Sequence, residues 1–319
     1  MRAGGAILTL LALVSLLGPE LLSQSPFAQD RESIFERPSL DAHVLGTDGL
    51  GRDVLSRTLH AARLTLLTAA AGVVLAVLLG SAAGALAGLL GGFWDRLVMR
   101  STELVMALPA LYLILGLRNL FPDSIGAFEA GLIVVVSLAS VGWSGVARLV
   151  RGQVLSIREE AYIAAARAAG ASRFRLLGVH ILGRLRPFLL LQLGLHIPYF
   201  LLGEVTLSFL GLGLAEPAPS FGNMLASAGA NASFLGSRWW TWVPPAFLLT
   251  LAVLGSNVWI EALRARYIAN FGGGNLGGGY LEGYLGPSER AGFDSWAARA
   301  SRFWSSSAWG SKHFRHRAS

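Results

Sequence analysis

Four polar side chains inside one apolar run invite a chemical reading: Gln192, His196, Glu204 and Ser208. His196 and Glu204 stand eight residues apart, a little over two helical turns, so they share a face with Gln192, and Ser208 lies one turn further on. An ionisable group in hydrocarbon is costly and normally faces a cavity or a partner. That face is therefore expected to line a translocation pathway, the alternative being that Glu204 is merely solvated near the outer boundary.

Two other arrangements suggest chemistry and carry less. Gly142-Trp-Ser-Gly145 places a serine between small residues within an apolar span, and His196 is the candidate base of an intramembrane serine protease. Depth separates them. Ser144 is roughly 6 Å of helix from the boundary at Arg148, whereas His196 is roughly 14 Å from Pro187. Catalysis needs hydrogen-bond reach. His43, Asp48 and Asp53 hold metal-ligating groups, but their spacing is not that of a calcium loop. Gly46, Gly49 and Gly51 mark tight turns there, and an ordered loop tied by pairs such as Asp48 and Arg52 is the simpler expectation.

Nucleotide and thiol chemistry find no residues to work with. The chain has no G-x-x-x-x-G-K-[ST] loop. The glycine-rich stretch from Gly272 to Gly279 matches G-x-G-x-x-G, but no strand precedes it, so it reads as a linker. With zero cysteines, disulfides, Cys-based zinc sites and thiol catalysis are excluded. No metal and no directly bound cofactor is expected.

The elements that must carry these residues are apolar helices. Of 319 residues, 53% are hydrophobic and 14% charged, which places the chain among polytopic membrane proteins. The formal charge of +7 is almost entirely arginine, Lys312 being the only lysine. In a membrane protein such an excess reports orientation rather than nucleic-acid binding. The fold class is all-α, with about six transmembrane helices.

In chain order, residues 1–22 form a first anchor helix, for which a cleaved signal peptide is the alternative. Residues 23–63 are polar and extracytoplasmic. A second span, Leu64 to Leu90, carries Gly80, Gly84 and Gly88, a ladder of small residues that admits a close helix neighbour. A third, Thr102 to Leu117, is expected to kink at Pro109. A short turn at Pro122 and Asp123 precedes a fourth, from about Ala130 to Val146. The fifth runs from Phe188 to Leu214 and the last from Trp242 to Ile260, with Trp239, Trp240 and Trp242 at an interface. Residues 64–266 thus make the core, and 267–319 a glycine-rich linker and cytosolic tail, with Phe293, Trp296, Ala300, Phe303 and Trp304 at helical spacing for an amphipathic helix on the membrane.

Between the fourth and fifth spans lies the arginine-rich interruption 148–187. By the positive-inside rule it is cytosolic, as are both termini of the chain. Within it, Tyr162 to Ala169 is alanine-rich, Gly170 can end a helix in the left-handed region, and Ser172 can cap the next. A helical hairpin is expected.

At this point the residues resemble a known family. Leu45-Gly-Thr-Asp-Gly-Leu-Gly-Arg-Asp-Val-Leu-Ser-Arg57, Ala107-Leu-Pro109, Ala147-Arg-Leu-Val-Arg-Gly152, the hairpin Tyr162 to Gly170, Leu207-Ser-Phe-Leu-Gly-Leu-Gly213 and Pro219-Ser-Phe-Gly-Asn-Met224 occur in the order found in inner-membrane permeases of ABC importers. The closest branch is the C-type subunit of dipeptide, oligopeptide and nickel systems, which have the type I importer fold. The resemblance runs from about His43 to Arg264.

It implies a heterodimer with a second homologous permease subunit, two cytosolic ATPases that use ATP and Mg, and an extracytoplasmic solute-binding protein. It also implies that the hairpin docks on an ATPase through Glu159, Glu160, Ala164, Ala165, Ala166, Arg167, Gly170 and Ala171. Two positions depart from the family motif. Ala164 stands at its glutamate and Gly183 at its terminal proline, while Glu159 and Glu160, about one turn earlier, can supply the charge. A secondary transporter working alone would leave such a hairpin without purpose.

Overall fold

Asp53 starts the longest helix. Its carboxylate accepts the Ser56 N–H at 2.7 Å, and the helix then runs unbroken for 37 residues. The computed structural model describes residues 2–22, 24–40, 42–121, 126–172, 175–214, 216–230 and 236–271. The turn at Pro122 and Asp123 and the expected linker and amphipathic tail lie outside the described residues. The main unit comprises Met1–Tyr267.

The helices in order are α1 (Arg2–Leu21), α2 (Val54–Leu90), α3 (Gly92–Ala107), α4 (Ala110–Arg118), α5 (Ala127–Arg158), α6 (Ala161–Ala168), α7 (Leu182–Phe209), α8 (Phe221–Gly229) and α9 (Val243–Phe271). A π-helical turn, Leu176–Ile181, leads into α7. Among the described residues four helices are long and apolar enough to cross a membrane. The bent pair α3 and α4 makes a fifth crossing if taken as one, and Gly5–Leu21 is a shorter apolar helix. All-α architecture is thus as expected, with four to five candidate spans where about six were expected, α1 being apolar but shorter than the others.

The core is the parallel packing of α2 on α5. A Cβ at Gly80 would sit 2.6 Å from the Trp143 carbonyl oxygen, and one at Gly88 2.9 Å from Val154 Cβ. One at Gly84 would collide with the Ala147 carbonyl. Without side chains the two backbones meet directly, which is how helices in lipid gain dispersion contact. Phe200 of α7 closes the other side, its ring 3.0 Å from a Cβ at Gly72.

Three expectations change. The second span begins at Val54 rather than Leu64, because the polar residues of its first turns are paired inside the protein rather than left in a loop. Pro109 does more than kink a helix: Leu108 is extended, as a residue before proline prefers, and α3 and α4 meet at 94°. The interruption 148–187 projects only between Arg158 and Leu182, since α5 continues through Arg148 and Arg151 to Arg158, and α7 runs through Pro187.

Candidate functional site

The projecting segment is a helical hairpin closed at Gly170. The Gly170 N–H donates to the Arg167 carbonyl at 3.0 Å and the Ala171 N–H to Ala166 at 3.1 Å, the paired bonds of a Schellman motif. Gly170 has φ +85°, which a side chain would strain. Ser172 then caps the return: its Oγ accepts from the Arg175 N–H at 3.3 Å.

The hairpin has one apolar face against the bundle. Ile163 is buried beside Ile157, Leu176 and Ile181. Glu160 lies 3.7 Å from Arg184, and the rings of Tyr162 and His180 are 6.3 Å apart, so the two arms are joined across the turn. Partial burial, reinforced by Glu160, raises the Tyr162 hydroxyl above its ordinary pKa against the pull of Arg184. The opposite face shows Glu159, Ala164, Ala165, Arg167 and Gly170 to solvent, with Ala166 and Ala171 half-buried. Small side chains there leave backbone within reach of another protein.

The hairpin stands on a braced base. Arg151 of α5 holds Asp95 of α3 with two hydrogen bonds, one of them 2.6 Å. Arg148 donates to Thr102 at 3.2 Å, and Arg158 donates to the Gly88 carbonyl at the end of α2. Arginines that in sequence speak only of membrane side thus also fasten α2, α3 and α5 together.

The face expected to line a pathway is turned inward instead. Gln192, Glu204 and Ser208 are buried, Glu204 completely. Ser208 Oγ donates to Glu204 Oε1 at 2.7 Å and accepts the Leu214 N–H at 3.1 Å. Next to it Asn223 holds the Leu214 and Ala218 carbonyls, and the Phe221 N–H reaches Thr65 of α2 at 3.4 Å. These groups fold the chain after α7 back onto α2 and α8. His196 alone stays half-exposed, its Nδ1 2.8 Å from the Gln192 carbonyl. Ser144 donates to Val141 in its own helix at 2.8 Å, and among the described residues no hydrogen bond joins it to His196.

At the other end of the bundle, residues 24–53 form a cap. Asp48 Oδ2 takes Arg52 Nε at 2.7 Å, as the sequence suggested, and Oδ1 accepts the N–H groups of Leu50 and Arg52. Arg52 and Arg57 both reach Glu216, at 2.6 and 2.9 Å, beyond α7. Phe35, Asp48, Arg52, Arg57, Glu216 and Arg238 line a cavity of about 270 Å³. His43 is bound to Asp53 at 2.9 Å while Asp48 serves the arginines. Among the described residues no three His, Cys, Asp or Glu side chains gather as a metal site. The sequence alone does not single out Glu216, and it shows Asp95 only as one charge beside Arg96 and Arg100, because the arginine partners of both lie far along the chain.

A capped bundle of apolar helices with a small-residue hairpin at its arginine-rich end is the architecture of a multi-pass membrane permease. The comparisons agree. Residues 76–269 match the family described as binding-protein-dependent transport system inner membrane component, and the chain belongs to that family. It is 36% identical over 265 residues to the dipeptide transport system permease protein DppC of Bacillus subtilis, covering 82% of this chain and 79% of that protein. It is 32% identical over 261 residues to the oligopeptide transport system permease protein OppC of the same organism, covering 82% of each. With OppC of Haemophilus influenzae it shares 33% over 222 residues, 70% of this chain and 68% of the relative. The chain is a permease subunit of a binding-protein-dependent ABC importer, a multi-pass inner-membrane protein rather than an enzyme. ATPase and binding-protein components belong to such systems in general.

Proposed function

We propose that this chain is one half of a heterodimeric channel for peptides or a related small solute, moved by two ATPases that dock on the hairpin. The supporting observation is the Schellman turn at Gly170, which presents Glu159, Glu160, Ala164, Ala165, Ala166, Arg167 and Ala171 around a tip backed by buried Ile163. Peptide cargo follows the names of the relatives. Hairpin and termini are cytosolic, and the 24–53 cap faces the solute-binding protein outside, as the arginine distribution directs. ATP and Mg act on the partner subunits, since this chain carries no phosphate-binding loop.

The mechanism uses the hairpin as a lever. ATP-driven closure of the ATPases moves α6, and Glu160–Arg184 and Tyr162–His180 carry that motion into the start of α7. The braces Arg151–Asp95 and Arg158–Gly88 carry it into α2 and α3. The two membrane halves then rock between outward and inward access. Gly170→Trp tests this. Among the described residues no atom lies within 4 Å of a Cβ there, so the indole meets open space. The variant is expected to reach the membrane and pair with its partner permease but to lose ATPase association; normal ATPase co-purification would overturn the reading.

A further inference from the structure

With Gln192, Glu204 and Ser208 turned inward, the outward stripe of α7 is what can meet a solute. Leu195, Tyr199, Leu202, Thr206 and Phe209 recur on it at helical spacing and are all exposed. Tyr199 stands out, 63% exposed. Its hydroxyl makes no hydrogen bond among the described residues; its contact is ring to ring with Phe200.

Depth makes this informative. Arg184 and Arg186 place the polar boundary just before Phe188, and about 20 residues of helix cross the hydrocarbon, so its middle falls near Pro198. Tyrosines of the interfacial belt sit at the headgroups, not there. A hydroxyl without a partner is costly in hydrocarbon. The outward mid-helix residues of α2 are by contrast Val74, Leu78 and Leu79, as lipid contact demands. Two polar features gather around Tyr199. His196, half-exposed one turn below, uses Nδ1 on its own helix, which leaves Nε2. Pro198 has no N–H, so the Gly194 carbonyl loses its helical donor.

We infer that the Tyr199 stripe of α7, with His196 at its edge and Thr206 two turns further out, lines the water-filled passage and hydrogen-bonds the solute in transit. This rests on the importer reading above and names the residues of this subunit that the cargo touches. Phenol and imidazole offer donor and acceptor to the amide and carboxylate groups of a peptide-like solute. Thr206 bonds the Leu202 carbonyl at 2.7 Å and keeps acceptor capacity for water.

The absence of cysteine makes the test direct. Tyr199→Cys is placed in the otherwise cysteine-free chain, assembled with its partner subunits in proteoliposomes, and exposed to a charged, membrane-impermeant methanethiosulfonate reagent. The mass of this chain reports modification. The introduced thiol is expected to react, reaction is expected to lower ATP-driven uptake severalfold, and the transported solute is expected to slow it. Thr206→Cys reads the same stripe if the first variant does not assemble. Resistance of both positions in a preparation that transports would place the stripe against lipid or in a dry subunit contact and overturn the inference. Failure of the unmodified complex to transport any ligand of its binding protein would instead sink the importer reading, whatever the two thiol variants do.

Discussion

Arg57 and Glu216 lie 159 positions apart in sequence and 2.9 Å apart in space, Nη2 donating to Oε1. Arg57 is 1% exposed at the first turn of α2, and Glu216 follows α7, so the bond ties the two ends of the core to the cap between them. Arg52 shares the same carboxylate and Asp48 faces both guanidinium groups. Glu216→Gln leaves Arg57 with Asp48, 3.5 Å away, as its remaining charged partner. Weakening a bond to a buried charge should cost about 1–3 kcal/mol, less than loss of a fully enclosed pair because Glu216 itself is partly solvated. The apparent Tm of the purified subunit is expected to fall, and protease is expected to cut sooner within 24–53. A variant with unchanged melting and unchanged proteolysis would show that the cap is held by its turns alone.

The glycine ladder makes a sharper demand. At Gly84 even a methyl group meets the Ala147 carbonyl, and at Gly80 it meets Trp143 at 2.6 Å. Backbone atoms cannot swing aside as a side-chain tip can. Gly84→Ala is expected to separate α2 from α5 and destabilise the subunit by about 1–3 kcal/mol, as overpacking does. Gly116→Ala, on α4, where a Cβ would have no neighbour within 4 Å among the described residues, is the control and should be silent. Equal yields of monodisperse protein from the two variants would contradict this packing.

Glu204 is argued from its hydrogen bond rather than its charge. Its Oε1 receives Ser208, which in turn receives Leu214, so the carboxyl group orders the chain where it leaves α7. Glu204→Gln keeps an acceptor of the same shape and should retain uptake close to the parent. Glu204→Ala removes the acceptor, strands Ser208 and opens a void, with an expected loss of about 2–4 kcal/mol and of assembled transporter. Uptake abolished by the glutamine variant in a fully assembled complex would return Glu204 to the pathway.

Much of this was legible in the sequence, and what was not has a physical cause. Apolar runs, the small-residue ladder and the Gly170 turn are local: periodicity and one special residue specify them, and α2, α5 and the hairpin follow. The start of α2 was hidden because Arg57, His60 and Arg63 look like loop residues until Glu216 and Glu20 are brought opposite Arg57 and Arg63. The inward turn of Glu204 was hidden for the same reason. A helical wheel puts Gln192, His196 and Glu204 on one face but does not say whether that face meets water or α2. Pro109 announced a deformation, while its size depends on what surrounds α3 and α4.

The first helix gives the last prediction. α1 packs into the bundle: a Cβ at Gly255 of α9 would lie 2.8 Å from Ile7 Cγ2, one at Gly18 lies 3.0 Å from Leu59 of α2, and Glu20 pairs with Arg63 at 2.9 Å. A cleaved leader has no reason for such complementarity, so the mature subunit is expected to keep α1, as its intact mass would report. The small residue on the α9 side is what admits Ile7. Gly255→Leu should push α1 off α9 and lower stability by about 1–3 kcal/mol, and shortening the facing side chain with Ile7→Ala should recover part of that loss. The double variant measures the coupling. Strictly additive effects of the two substitutions on Tm would mean that α1 and α9 do not touch there.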